Sequence, residues 1–378
     1  MTDAIKPIGM PKWGLAMTEG KVNAWLVPDD ASIKQGDEIL EIETSKITNV
    51  FESPVTGTLR RKVAGEGDTL PVGALLGVVA DDSVSDAEID AFVAQYKQHE
   101  AEMGSEAAPP EPIMVNAGSW TVRVLRMGPD VPHETAAPIV LIHGFGGDLL
   151  SWQMNQPDIA TDRAVYAIDL PGHGGSSKAI DGDGSVAWLA GTVREALNAL
   201  EIHRVHLVGH SLGGAVALQM ALDEPARVAS VTLVCPAGLG AEINGGYLDG
   251  FIRADKRKDM KPTLEALFHE PSFVSRDMVE DVLKYKRLDG VLAALRKLAD
   301  GAFKGGKQHT VLAGRLEDLS VPVQVVWGET DKIVPASHAF VLPPARRHVL
   351  PAAGHMVHME RPAEVNRLIA EFVDYAGG

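Results

Sequence analysis

The sequence predicts a multidomain protein, a small all-β domain followed by a larger α/β domain with a helical insertion. Three observations carry that reading. Residues 1 to about 80 consist of short alternating segments broken by glycine and proline, the pattern of a compact antiparallel β domain. From Ile113 onward, short apolar runs alternate with helical stretches, which indicates a mostly parallel sheet with helices on both faces. Between them in importance stands one local pattern: the apolar run Val205–Val208 meets Gly209-His210-Ser211, and Leu212–Leu222 then recurs at helical spacing. A strand there turns sharply into a helix with Ser211 at the apex, and small residues at 209 and 213 let the backbone bend tightly enough to expose the serine oxygen.

The chain has 378 residues, enough for two or three domains, and its 45% hydrophobic content is ordinary for a globular protein. A net charge of -16 disfavours nucleic-acid and anionic-membrane surfaces, which need clustered lysine and arginine. Met1-Thr2-Asp3 is followed by no apolar signal region and no stretch approaches membrane-spanning length, so a cytoplasmic location is expected. The single cysteine, Cys235, ends an apolar run and reads as a buried structural thiol. No metal ligand set is assigned.

Within the first domain, Gly20-Lys21-Val22 leading to Gly36-Asp37 echoes Gly57-Thr58-Leu59 leading to Gly67-Asp68, which suits two similar half-sheets closing on one another. Glu38–Thr44 and Ile47–Phe51 both alternate, with Ser45-Lys46 between them as a hairpin turn. A lysine at such a tip is ordinarily just solvated. However, Glu43-Thr44-Ser45-Lys46-Ile47, with Glu19-Gly20 before it and Ser53-Pro54-Val55-Thr56-Gly57 after it, resembles a lipoyl domain, with Ser45 where the family usually has aspartate. The resemblance implies lipoic acid in amide linkage on Lys46. Biotin carriers flank their lysine with methionines, and here the neighbours are Ser45 and Ile47. Residues 81–112 then read as a flexible linker: a short amphipathic helix within 81–98, carrying Ile89, Phe92, Val93 and Tyr96, followed by an alanine-proline spacer at 106–112.

In the remainder, 113–378, strands are expected at Thr121–Leu125, Ile139–Ile142, Ala164–Ile168, Val205–Val208, Val228–Val234, Val323–Trp327 and Arg347–Leu350. Their order around the serine turn resembles the α/β-hydrolase fold. His143-Gly144-Phe145-Gly146-Gly147 follows a strand, and the resemblance implies that the N–H groups of Phe145 and Leu212 form an oxyanion hole. Asp169-Leu170-Pro171-Gly172-His173-Gly174 matches a family segment assigned to structure, with His173 expected to pack or hydrogen-bond. Asp331, beyond the strand at 323–327, stands at the family's acid position, with Glu329 as the lesser alternative. Gly354-His355 follows the last strand and supplies the histidine. The chain order Ser211, Asp331, His355 is the order this fold requires. A serine hydroxyl needs a base during attack; an imidazole with a reference pKa of ~6.5 can serve, and acyl transfer through a serine ester is the natural chemistry.

Between about 237 and 320 the strand pattern yields to helical stretches such as Met278–Leu288 and Val291–Leu298, an expected cap over the site. It carries a basic cluster, Arg253, Lys256, Arg257, Lys258 and Lys261, which reads as a solvated face or as a site for the phosphates of coenzyme A. A lipoyl carrier fused to a serine acyl-transfer domain resembles the dihydrolipoamide acetyltransferase components of bacterial acetoin dehydrogenase systems. That resemblance implies transfer of acetyl from a lipoyl arm to coenzyme A, with a thiamine diphosphate acetoin dehydrogenase and a dihydrolipoamide dehydrogenase as partners. None of the Asp-Gly pairs has histidine four residues earlier, so the H-x-x-x-D-G domain of other lipoyl-dependent transferases is absent from this sequence. Three alternatives stay open: a hydrolase acting on an ester, thioester or carbon-carbon bond; a carrier scaffold with a non-catalytic hydrolase-like domain; and an esterase with an unmodified N-terminal module. The oligomeric state is open, a homo-oligomer included.

Overall fold

A computed structural model describes residues 5–11, 19–44, 48–81, 83–104, 110–133 and 135–377. The chain divides into two compact units, 1–109 and 110–378.

The first unit holds eight strands: β1 (Ile5–Gly9), β2 (Glu19–Trp25), β3 (Ser32–Ile33), β4 (Glu38–Glu43), β5 (Thr48–Glu52), β6 (Gly57–Lys62), β7 (Thr69–Pro71) and β8 (Leu75–Ala80). They form two four-stranded antiparallel sheets, ordered β1-β8-β6-β3 and β5-β4-β2-β7. The internal echo in the sequence is real in space, because β2 and β6 occupy the same place in the two sheets. The turns that the echo marked also match: Gly36 and Gly67 have φ of 92° and 91°, and Asp37 and Asp68 each accept a backbone N–H three residues back at 2.8 Å. Inward-facing Ile8, Val22, Ile33, Ile39, Leu40, Ile42, Leu59 and Val79 fill the space between the sheets. The helix α1 (Asp86–Gly104) is longer than the expected one and is docked. Ile89, Phe92, Val93 and Tyr96, spaced for one helical face, pack against Leu75, Val78 and Ala80, so the first part of the segment read as linker belongs to this unit.

The second unit is built on an eight-stranded sheet. Its strands are β9 (Ile113–Ala117), β10 (Trp120–Met127), β11 (Ile139–Ile142), β12 (Val165–Ile168), β13 (Val205–His210) and β14 (Val228–Val234), then β17 (Val323–Gly328) and β18 (Arg347–Leu350) after a two-strand hairpin of β15 (Phe303–Lys304) and β16 (Lys307–Gln308). The order is β18-β17-β14-β13-β11-β12-β10-β9, parallel except where β10 pairs with β12 and β9. Every residue of β11 to β14 and β17 is buried, which explains why those segments read as continuous apolar runs. Two helix groups cover the sheet, α3 (Val186–Ala199) with α4 (Leu212–Asp223), and α10 (Pro362–Gly377) with α2 (Gln156–Ile159) and α9 (Val357–Glu360).

Between β14 and β17 lies the expected insertion, with α5 (Gly245–Arg253), α6 (Arg257–Glu265), α7 (Arg276–Lys286) and α8 (Val291–Ala302). A buried lysine pins it internally: Lys286 Nζ donates to the Phe251 and Ala254 carbonyls at the end of α5. Among the described residues no helix is long and apolar enough to cross a membrane.

Candidate active site

Strand β13 ends at His210 and α4 begins at Leu212, so Ser211 makes the turn alone, at φ 53° and ψ -118°. An L-residue is strained there, and it holds only where surroundings over-determine it. They do. The Ser211 N–H donates to Val234 O at 3.0 Å, and its carbonyl accepts from Gly214 and Ala237, both at 2.9 Å. A Cβ at Gly209 would lie 2.3 Å from Gly213 O, and one at Gly213 would lie 2.3 Å from Ile142 O, so larger residues would push the turn apart.

Asp331 follows β17, with its side chain fully buried. Its carboxylate gathers four N–H donors. Oδ1 accepts from Ile333 at 2.8 Å and Val334 at 3.0 Å; Oδ2 accepts from Trp327 Nε1 at 2.9 Å and His355 Nδ1 at 2.8 Å. With its Nδ1 proton directed at Asp331, His355 presents Nε2 as a free acceptor. Among the described residues neither Nε2 nor the Ser211 hydroxyl has a hydrogen-bond partner, which leaves both for a substrate. Glu329, the alternative acid, is exposed, and its side chain makes no hydrogen bond or ion pair among the described residues.

The loop bearing Phe145 is held by two imidazoles. His143 donates from Nδ1 to Gly144 O at 2.7 Å and accepts at Nε2 from Leu170 N–H at 3.0 Å; His173 donates from Nδ1 to Pro171 O and accepts from Gly146 N–H at 3.1 Å. Burial is the first cause that keeps both below the usual histidine range, so they stay neutral. Asp169 completes the clamp, accepting from Leu149 N–H, Gly175 N–H and Arg123 Nε. The Phe145 N–H has no acceptor among the described residues, and the Leu212 N–H, first of α4, has none within its helix. That is the condition an oxyanion hole requires. The Phe145 ring packs edge-on against Phe251 of α5 at 5.9 Å, so the cap roofs this loop.

Sequence reasoning did not place two further residues, His210 and Cys235, beside the Asp331–His355 pair. His210, inside the serine motif, donates from Nε2 to the His355 carbonyl at 3.0 Å, and its ring lies 4.8 Å from His355 and 4.6 Å from His358. Cys235 is buried, and its sulfur lies within 4.8 Å of the Asp331 and His355 ligand atoms. A metal could use that spacing, yet burial, reinforced by the Asp331 charge, pushes the thiol pKa well up, and the carboxylate is already committed to four donors.

Comparison with known proteins gives the family of each unit. A family model described as the alpha/beta hydrolase fold matches residues 137–362, and one described as biotin-requiring enzyme matches 6–79. The chain is 47% identical over 371 residues to the dihydrolipoyllysine-residue acetyltransferase component of the acetoin cleaving system of Pseudomonas putida, covering 98% of each chain. The counterpart from Cupriavidus necator is 46% identical, covering 98% of this chain and 97% of that one. The chain belongs to this acetyltransferase family. Solved structures similar in fold include a meta-cleavage product hydrolase from Pseudomonas fluorescens (21% identity, TM-score 0.61, covering 70% of this chain and 98% of that one) and a carboxylesterase from Bacillus subtilis (19%, TM-score 0.58, 75% and 98%). Family membership also brings the lipoyl group and coenzyme A. Lys46 lies outside the described residues; of the segments flanking it, β4 and β5 pair antiparallel up to Glu43 opposite Thr48.

Proposed function

We infer that this chain moves an acetyl group from a lipoyl arm on Lys46 to coenzyme A in acetoin breakdown, through an acyl ester on Ser211. The reading rests on the Asp331–His355 hydrogen bond, together with a strained serine turn, the Phe145 N–H without an acceptor among the described residues and the Leu212 N–H at the start of α4. A lipoyl group on Lys46 supplies a thiol on a long tether, on which acyl cargo travels as a thioester.

His355 Nε2 takes the Ser211 proton as Oγ attacks the incoming thioester carbonyl. The N–H groups of Phe145 and Leu212 hold the oxyanion, worth about 3 kcal/mol each in the transition state. As the carbon-sulfur bond breaks, His355 returns the proton to the departing sulfur. His355 next takes the proton of the coenzyme A thiol, its sulfur attacks the ester, and Ser211 regains the proton. Asp331 keeps the tautomer and stabilises the imidazolium. A thiamine diphosphate acetoin dehydrogenase would load the arm and a dihydrolipoamide dehydrogenase would reoxidise it, all in the cytoplasm, with 1–80 and the docked α1 as carrier and 113–378 as transferase.

The basic stretch 253–261 is the proposed seat of the coenzyme A phosphates. It follows Phe251, which meets the oxyanion loop, and precedes Leu267, which meets the histidine loop. Arg253 pairs with Asp249 and Lys261 with Glu265, whereas the exposed Lys256, Arg257 and Lys258 have no ion pair among the described residues. Charge reversal at Lys256 and Arg257 should raise the KM for coenzyme A; an unchanged KM removes the assignment.

The central test is acetyl transfer from free acetyl-dihydrolipoamide to coenzyme A. Ser211→Ala should abolish it and Lys46→Arg should not, since the free donor bypasses the tether. Persistent turnover in Ser211→Ala refutes the acyl-serine route, and acetate formed in place of acetyl-coenzyme A points to a hydrolase.

A further inference from the structure

The loop that carries His355, residues 351–356, takes much of its hydrogen bonding from elsewhere. Thr330, beside the acid, supplies two bonds to Ala353 O, from its N–H at 3.0 Å and its hydroxyl at 2.9 Å. Glu360 accepts the Gly354 N–H at 2.6 Å on one carboxylate oxygen and, on the other, the His269 N–H of the cap at 2.7 Å. Since the Thr330 hydroxyl donates to Ala353, its oxygen accepts from His269 Nδ1 at 2.9 Å. The Met356 N–H donates to Leu267 O of the cap at 3.1 Å. Contact between the two backbones is direct: a Cβ on Gly354 would lie 2.7 to 2.9 Å from backbone atoms of Leu267, Phe268 and His269. The cap segment is in turn anchored by Phe268, 1% exposed and stacked on Phe273 at 5.6 Å.

Lifting the cap segment would therefore remove the acceptor of Met356 N–H, one of the two donors of Glu360 and the donor to Thr330. The histidine loop would keep Asp331, His210, both Thr330 bonds and Glu360, but lose its own bond to Leu267, and Thr330 and Glu360 would each lose the cap partner that orients them. We propose that Thr330, Glu360 and His269 are positioning residues that make the alignment of His355 conditional on the docked cap segment Leu267–His269, so that Ser211 chemistry is assisted only in the closed state. This rests on the acyl-serine reading. It supplies that reading with a way to disfavour water: while the cap is open for one thiol to leave and another to arrive, an ester on Ser211 faces solvent without an aligned base.

Two changes probe the coupling away from the reacting atoms. Phe268→Ala loosens the anchor, and Thr330→Val removes the bridging hydroxyl at constant shape; Thr330→Ser restores it. Each should lower kcat for transfer from acetyl-dihydrolipoamide to coenzyme A about tenfold, with Thr330→Ser within about twofold of wild type. Amide hydrogen exchange at 354–356, distant in sequence from both sites, should speed up in Phe268→Ala and in Thr330→Val but not in Thr330→Ser. If Phe268→Ala fails to fold, the near-isosteric Thr330→Val decides. Folded variants with wild-type kcat and unchanged exchange at 354–356 overturn the coupling. Ser211→Ala in the same assay separates the two failures, because turnover surviving there refutes the acyl-serine route whatever Thr330 does.

Discussion

The two histidine groups of the transferase unit make an instructive contrast. On the oxyanion side, His143 and His173 have both ring nitrogens bonded to backbone, one donating and one accepting. On the catalytic side, His210 and His355 each use one nitrogen, and His358, completely buried between Trp152 and His210, uses neither. A fully bonded neutral imidazole acts as a rigid clip between loops. A ring with an unused nitrogen is either available to a substrate, as at His355, or held by packing alone, as at His358.

That contrast can be broken most severely at His355. His355→Ala should cut transfer by about 10,000-fold or more, and Asp331→Asn by about as much through loss of the right tautomer. Steady-state rates near wild type would place the base elsewhere. At His173 the expected balance is reversed. His173→Leu strands the Gly146 N–H and should lower stability by about 2 kcal/mol in urea unfolding, with a smaller loss of activity as the oxyanion loop loosens. An unchanged urea midpoint would mean that the clip is dispensable.

His358 sharpens the contrast by pH. Burial, followed by the charge of a protonated His355, depresses its pKa to about 3 from the ordinary 6.5. The unfolded chain therefore binds the proton first, and stability is lost as pH falls from about 6.5 toward 3, by up to about 1.4 kcal/mol per unit for this one ring. His358→Phe should flatten that part of the profile and add about 1 kcal/mol at neutral pH by removing two unbonded buried nitrogens. A profile as steep as wild type between pH 4 and 6 would assign the acid sensitivity to the other buried histidines.

Much of the fold could be read from the chain because its signals are local. The runs at 139–142, 228–234 and 347–350 are strands with those same bounds, and the elbow is set by glycines whose absent side chains make room within a few residues of Ser211. The helix within the linker was visible as a stripe of Ile89, Phe92, Val93 and Tyr96, but not its docking, since a stripe does not name the surface that covers it.

By itself the sequence determined two domains, a serine at a strand-to-helix turn, an acid and a histidine in the right chain order, and a lysine between two alternating strands. Only the tertiary structure decided that Asp331 rather than Glu329 meets His355, that His210 and Cys235 border the pair, and that the cap reaches the histidine loop through Leu267 and His269. The division has a physical cause. Backbone turns and hydrophobic periodicity are set by neighbours along the chain, whereas a hydrogen bond between residues 269 and 330 or 331 and 355 exists only once packing brings separate loops to within 3 Å.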